Sequence, residues 1–464
     1  MVTPGALVIG GSALPVSVAL AAAIGVVAMV LIGRYGGRAR GAHKRGTRVE
    51  TGRGARRAVR RARRRGRRGQ LTLAGMPLAL ADETRHFKLL GTTGTGKSTA
   101  IRELLGGALR RGDRAIIADP DGGYLAQFHE RRRGDVILNP FEPLSVKWNP
   151  FAEIHAAYDV EQLASGLVPT SEDASGQEWR GYARTFFAAV ARRCKTSGCE
   201  DVRELWRLLA TASSEELRPL VAGTPAQPFL DPDNARMFGS IRSVTGSAAA
   251  ALEYIQAQSA APFSVREWVA GGRGVLFIPY HARQIAALRT IIATWMRLAI
   301  FEALQHPEVD QRLWFVVDEL DALGAIDGLK DALARLRKFG GRCVLGLQSI
   351  SQVSSTYGNG TAQTIVENCG NTLILRCSGS EHGGSSQFAS RLIGEREIIR
   401  RQTARGRDRD SGFAARGSRR STNVSEQHIT EWAVMPSEIE QLPDLTGYLK
   451  TASCPTWVYV ALAR

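Results

Sequence analysis

Residues 91–98 read GTTGTGKS. They follow the apolar run Phe87–Leu90 and precede TAIRELLGGA at 99–108, whose apolar spacing predicts a helix. This is the pattern of a phosphate-binding P-loop. Gly91, Gly94 and Gly96 permit a turn that aims backbone N–H groups inward, and the helix N-terminus adds its partial positive charge. Lys97 would reach the β- and γ-phosphates, and Ser98 would put its hydroxyl on Mg²⁺. The candidate nucleotide-binding residues are therefore Gly91, Thr92, Thr93, Gly94, Thr95, Gly96, Lys97, Ser98 and Thr99.

Hydrolysis needs a second element, and LWFVVDE at 313–319 supplies one: a buried strand ending in two carboxylates. Asp318 would hold the Mg²⁺ shell with Ser98, and Glu319 would orient or deprotonate the attacking water. A third apolar strand, CVLGLQ at 343–348, ends in Gln348, whose amide is placed either to sense a γ-phosphate or to bond locally. Further apolar runs at 115–118, 136–138, 274–280, 371–377, 447–451 and 456–462 read as strands, and 284–305 and 327–339 as helices. Residues 155–272 lack such runs and carry helical spacing, which predicts an inserted all-α domain. The expected fold is α/β: a RecA-like P-loop core in two parts, 71–154 and 273–464, split by that insertion. Residues 400–425, rich in Arg, Ser and Gly with a net charge of +6, read as a loop able to touch nucleic-acid phosphates.

Charge is concentrated. The 464-residue chain has a net charge of +17. Residues 34–70 hold 16 Lys/Arg against one acid, Glu50, so residues 71–464 carry only +2. The tract follows the 19-residue apolar run Leu14–Ile32, and residues 1–33 contain no charged side chain. That run is just long enough to cross a bilayer as a helix. The positive-inside rule then puts 34–70 and the catalytic body in the cytoplasm, with 1–33 as an anchor and 34–70 as a juxtamembrane tract attracted to anionic lipid or, alternatively, nucleic acid. The six cysteines show no CxxC spacing, which suits a reducing compartment. Three arginines, Arg335, Arg337 and Arg342, lie between the acidic strand and the Gln348 strand, and any of them is a candidate to complete a neighbouring subunit's site.

From Phe87 to Leu462 the sequence resembles the type IV secretion coupling proteins, the conjugative TraD/TrwB/TraG type. The marks are GTTGTGKS, ADPDGG (118–123), ILNPF (137–141) with Trp148 after it, VVDEL (316–320), RKFGGRCVLGLQSISQ (337–352) and VMPSEIEQLPDL (434–445). The resemblance implies an inner-membrane homo-hexamer. It would use ATP and Mg²⁺ to pass a relaxase bound to single-stranded DNA, or an effector protein, into a type IV secretion channel. It assigns Gln348 to a motif glutamine and, of the three arginines, Arg337 to a role across the subunit boundary. Such proteins usually have two membrane spans, whereas one is predicted here. Two other readings compete: an FtsK/HerA-like translocase of double-stranded DNA, and a receptor that docks substrate under ATP control without acting as a motor.

Overall fold

The computed structural model describes residues 42–65, 69–169, 174–305, 312–380, 384–408 and 419–463. The predicted anchor 1–33 lies outside them. Among the described residues no helix is long and apolar enough to cross a membrane. The chain forms two compact units: residues up to Thr47 with Gly394–Trp432, and Arg48–Ile393 with Ala433–Arg464.

The larger unit is built on a ten-stranded sheet. In chain order its strands are β1 (Val49–Glu50), β2 (Phe87–Leu90), β3 (Arg114–Pro120), β4 (Val136–Ile137), β5 (Val275–Tyr280), β6 (Leu313–Val317), β7 (Arg342–Leu347), β8 (Asn371–Ile374), β9 (Thr446–Lys450) and β10 (Trp457–Ala461). Their spatial order is β1-β10-β9-β8-β2-β7-β6-β3-β5-β4. The block from β8 to β4 is parallel throughout. The β8–β9 and β9–β10 pairs are antiparallel.

Parallel central strands are covered on both faces, which is why they read as unbroken apolar runs. In β3, Ile116 and Ala118 enter one core, shared with the helix Ile285–Ala303, while Ala115 and Ile117 enter the other, shared with the P-loop helix Lys97–Arg110. Register then gathers the strand ends. Leu90 pairs with Leu347, and Val317 pairs with both Ala118 and Leu345. The residues that follow, Gly91, Gln348, Asp318 and Asp119, therefore emerge along one edge.

Between Asp159 and Gly271 the chain is almost all helix, with the long members Ala174–Thr196 and Ala235–Gln256. Its apolar core runs on into the core on the Ile285–Ala303 face of the sheet. One short strand, Pro262–Phe263, returns to pair with Lys147–Trp148. Buried Glu153 fastens this return by accepting bonds from Trp148 Nε1 (2.8 Å), Val265 N (2.7 Å) and Arg266 N (3.1 Å). A buried ion pair, Arg266–Asp159 at 2.7 Å, adds to it. The helix expected over 327–339 is an α-helix only over Leu329–Leu336. It tightens to a 3₁₀ turn at Arg337–Phe339 and stops at Gly340, φ +72°.

One expectation is corrected. The described parts of residues 400–425, 400–408 and 419–425, are not a loop: Glu395–Asp408 and Arg419–Trp432 are two 14-residue antiparallel strands, joined on one side by Ala42–Gly46. These three strands make up the smaller unit. Apart from buried Ile398, most of the ribbon residues whose side chains are described are exposed or half-exposed, so the segment lacks apolar alternation and its composition alone reads as loop. Cross-strand pairs hold it instead: Ile398 faces Ile429, Arg396 bonds Glu431 at 2.8 Å and Arg401 bonds Glu426 at 2.8 Å.

Candidate functional site

The turn between β2 and the helix Lys97–Arg110 needs its glycines. Gly94 and Gly96 have φ of +78° and +115°. A Cβ on Gly96 would also lie 2.9 Å from the side chains of Leu445 and Leu462. The loop is pinned from outside: Thr92 N donates to Arg376 O (2.9 Å), and Leu445 N donates to Thr95 O (2.9 Å). Lys97 Nζ folds back onto the loop, donating to Gly91 O (2.6 Å) and Thr92 O (3.2 Å). Burial lowers its pKa, while the nearby Asp318 and Glu319 charges oppose that shift.

Opposite the loop, Asp318 is buried. Its Oδ2 accepts from Ser98 Oγ (2.6 Å) and from Tyr124 OH (2.8 Å), whereas Oδ1 has no partner among the described residues. An unpartnered buried carboxylate oxygen beside a serine hydroxyl is a hard oxygen donor set, the kind that Mg²⁺ takes. The residues fit that ion. Tyr124 is itself held by Asp119, whose carboxylate accepts from Tyr124 N (3.0 Å) and Leu125 N (2.7 Å). Burial pushes the Asp119 carboxyl up to about 6, and its two backbone bonds pull the other way. Glu319 receives Gln348 Nε2 on Oε1 at 2.6 Å. Its pKa is raised chiefly by partial burial and further by Asp318, against the lowering bond from Gln348. The buried Tyr280 hydroxyl has no partner.

Lys97, Ser98, Asp318, Glu319 and Gln348 share one cavity of about 180 Å³, whose lining is completed by Thr93, Gly94, Gly96, Thr99 and Leu445. A second cavity of about 420 Å³ adjoins it through Thr93 and Gln348 and is walled largely by serines, among them Ser349, Ser378 and Ser385. Residues far apart in sequence thus converge: Lys97 and Ser98 with Asp318, Glu319 and Gln348.

Arg337 is not among them. It precedes β7 while Gln348 follows it, so it sits at the opposite sheet edge, roughly 20 Å away at strand rise. It is exposed there, as is Arg335. Arg342 is buried. It donates to Glu83 Oε2 (3.1 Å) and Gly340 O (2.5 Å) and lies over the Trp314 ring. Its partners are internal, which removes it from the three candidates for a neighbour's site.

Sequence reasoning passes over Tyr124, the anchoring role of Asp119, and Gly346. A Cβ on Gly346 would lie 2.0 Å from Asp318 O and 2.9 Å from Asp318 Oδ1, so only glycine lets β7 pass this close to the acidic turn. A lone glycine inside an apolar strand run is the available signal. For Tyr124 no local signal exists.

With this geometry in hand, comparison with known proteins is decisive. The profile of the type IV secretion-system coupling protein DNA-binding domain matches residues 70–462. The chain belongs to this family. Coupling protein TraD of Escherichia coli K12 is 31% identical over 393 residues, covering 82% of this chain and 52% of TraD. This chain thus spans about half the length of that relative. Among solved structures, the bacterial conjugative coupling protein TrwBdeltaN70 superposes with a TM-score of 0.78 at 32% identity, covering 91% of this chain and 94% of its own. TrwB in complex with ADP and Mg²⁺ gives the same four values. TrwB bound to a non-hydrolysable ATP analogue also superposes at 0.78, with 31% identity and coverage of 91% and 95%.

Proposed function

We propose that this protein is a membrane-anchored, ATP-hydrolysing coupling protein of a conjugative type IV secretion system. It would recruit a relaxase–single-stranded DNA complex, or a protein substrate, and drive it into the secretion channel as a homo-hexamer. The observation that carries the reading is the single cavity in which a P-loop lysine, a Ser98–Asp318 pair with one oxygen free, and Glu319 under Gln348 all meet. The TrwB complexes with ADP–Mg²⁺ and with an ATP analogue support ATP and Mg²⁺ as the ligands.

In this reading Lys97 exchanges two loop carbonyls for the β- and γ-phosphates. The loop N–H groups and the helix N-terminus take the rest of the phosphate charge. Ser98 and Asp318 hold the metal, with Tyr124 fixing the Asp318 rotamer. Bound Mg²⁺ would neutralise charge on the β- and γ-oxygens. Glu319, its proton affinity raised by burial, orients the attacking water and takes its proton. Gln348 keeps that carboxylate engaged until a γ-phosphate competes for its amide. Arg337 lies far from its own subunit's cavity, and the family resemblance assigns it to a neighbour's site. The predicted span Leu14–Ile32 is the inner-membrane anchor. The carboxylate pair Asp318–Glu319 lining the cavity favours a motor over a docking receptor.

The test is ATPase rate of the full chain against protein concentration, with and without single-stranded DNA, for wild type and Arg337→Ala. A rate per subunit that climbs with concentration, rises with DNA and collapses in the variant supports the reading. A rate independent of concentration and DNA, and untouched by Arg337→Ala, overturns the oligomeric motor.

A further inference from the structure

The helix Gly52–Arg65 sorts its side chains cleanly. Ala55, Ala58, Val59 and Ala62 recur at spacings of three and four and face inward. Ala55 is buried, and Ala58 and Val59 pack on the core shared with the P-loop helix. Arg63 Nε donates to Gly75 O at 2.9 Å, which ties the helix to the turn Ala74–Gly75. The helix is therefore docked rather than loose. Its other face carries Arg53, Arg56, Arg57, Arg60, Arg61 and Arg64, all exposed. The helix has no acidic residue in its first turn. None of these six makes an ion pair among the described residues, whereas the basic residues of the three-stranded ribbon do: Lys44 and Arg45 bond Glu397, Arg396 bonds Glu431 and Arg401 bonds Glu426. The single acid of residues 34–70, Glu50, sits at the helix start, beside Gly54.

Six uncompensated guanidinium groups on one rigid face repel each other, and a dense array of phosphates relieves that repulsion. Arginine forks match phosphodiester oxygens in pairs. We infer that the arginine face of the helix Gly52–Arg65 is a docking surface for the headgroups of anionic membrane lipid. Two observations favour lipid over DNA. The family's DNA-binding-domain profile begins at residue 70, after this helix. Only 19 residues separate the end of the predicted span at Ile32 from Gly52, so the face follows the membrane closely along the chain. Such a surface would fix the catalytic unit against the bilayer instead of leaving it on a tether. The inference rests on the membrane-anchored reading, and extraction of the full chain from membranes by carbonate would sink that reading separately.

The test uses the full chain in neutral-detergent micelles, titrated with tail-labelled phosphatidylglycerol or phosphatidylcholine. The comparison is wild type against a variant with Arg53→Gln, Arg57→Gln, Arg60→Gln and Arg64→Gln together. These positions are exposed and make no ion pair among the described residues, so ATP binding serves as the check that the fold is kept. Wild type is expected to prefer phosphatidylglycerol by tenfold or more, and the variant to lose about 10²-fold of that affinity, at around one kcal/mol per charge near an anionic surface less partial screening. Its affinity for a single-stranded oligonucleotide should stay within twofold. A phosphatidylglycerol preference that survives the four substitutions overturns the inference. So does a variant that keeps the lipid preference and loses oligonucleotide binding, which would make the face a nucleic-acid surface.

Discussion

The two edges of the central sheet both carry charge and differ in how it is arranged: a paired cluster at one, a cavity lined by unpaired groups at the other. At the edge before the strands, Arg111 forks onto Glu83 through two bonds of 2.8 Å and also holds Asp113. Arg342 adds a bond to Glu83, and Trp314 Nε1 donates to Asp113 at 2.9 Å. Within this cluster every named group has a partner, although Asp82 Oδ1, Arg85 Nε and Arg114 Nε at the same edge have none among the described residues. At the edge after the strands, Asp318 Oδ1 and the Tyr280 hydroxyl have none, Lys97 makes do with its own loop carbonyls, and Glu319 is held by a single amide. Unsatisfied buried polar groups are costly, and a fold keeps them where a ligand completes them. The paired cluster around Glu83 and Asp113 is a clasp for the sheet. The unsaturated edge is a candidate site.

The comparison breaks most sharply at Asp318. Asp318→Ala should lower Mg²⁺-dependent ATP turnover about 10²–10³-fold while leaving the urea midpoint near wild type, read by steady-state kinetics and equilibrium unfolding. The opposite signature belongs to the other edge. Arg342→Met strips one cation from a buried cluster of two carboxylates, so it should cost about 3 kcal/mol of stability with little change in turnover per folded molecule. Urea unfolding decides this one, and an unchanged midpoint would mean the clasp is not one.

Asp119 tests the site through pH. Its carboxyl is raised to about 6 in the folded protein, above the ordinary value near 4 in the unfolded chain. The folded state therefore binds more protons between those values, and stability falls as pH rises through the window. Relative to Asp119→Asn, wild type should lose roughly 2–3 kcal/mol between pH 4 and pH 6.5. Parallel pH profiles for the two proteins would show that Asp119 titrates normally. The smallest effect is at Tyr124. Tyr124→Phe removes one bond to Asp318 and keeps the ring, so half-saturation for Mg²⁺ should rise about tenfold with ATP affinity in the absence of metal unchanged. A uniform loss of both would assign Tyr124 to packing.

Much of the fold is legible in the sequence, and the reason is locality. The P-loop, the strand ending in Asp318-Glu319 and the strand ending in Gln348 each declare themselves within eight residues, and a parallel sheet then aligns their ends. What is not legible depends on neighbours far along the chain. Arg337 and Arg342 look alike in sequence, yet only Arg342 is buried, because β7 carries it inward to Glu83. Tyr124 meets Asp318 across 194 positions, and nothing around it announces that. The strands Glu395–Asp408 and Arg419–Trp432 look like a loop because their Arg-, Ser- and Thr-rich sequence leaves no hydrophobic period to read.

In the proposed function the edge after the strands hydrolyses ATP, with Glu319 activating the water. Single-turnover phosphate release from γ-labelled ATP, with wild type and Glu319→Gln at matched nucleotide occupancy, tests it most directly. The account predicts that Glu319→Gln binds ATP–Mg²⁺ as tightly as wild type and releases phosphate 10²–10⁴-fold more slowly. Phosphate release by Glu319→Gln at the wild-type rate would contradict it.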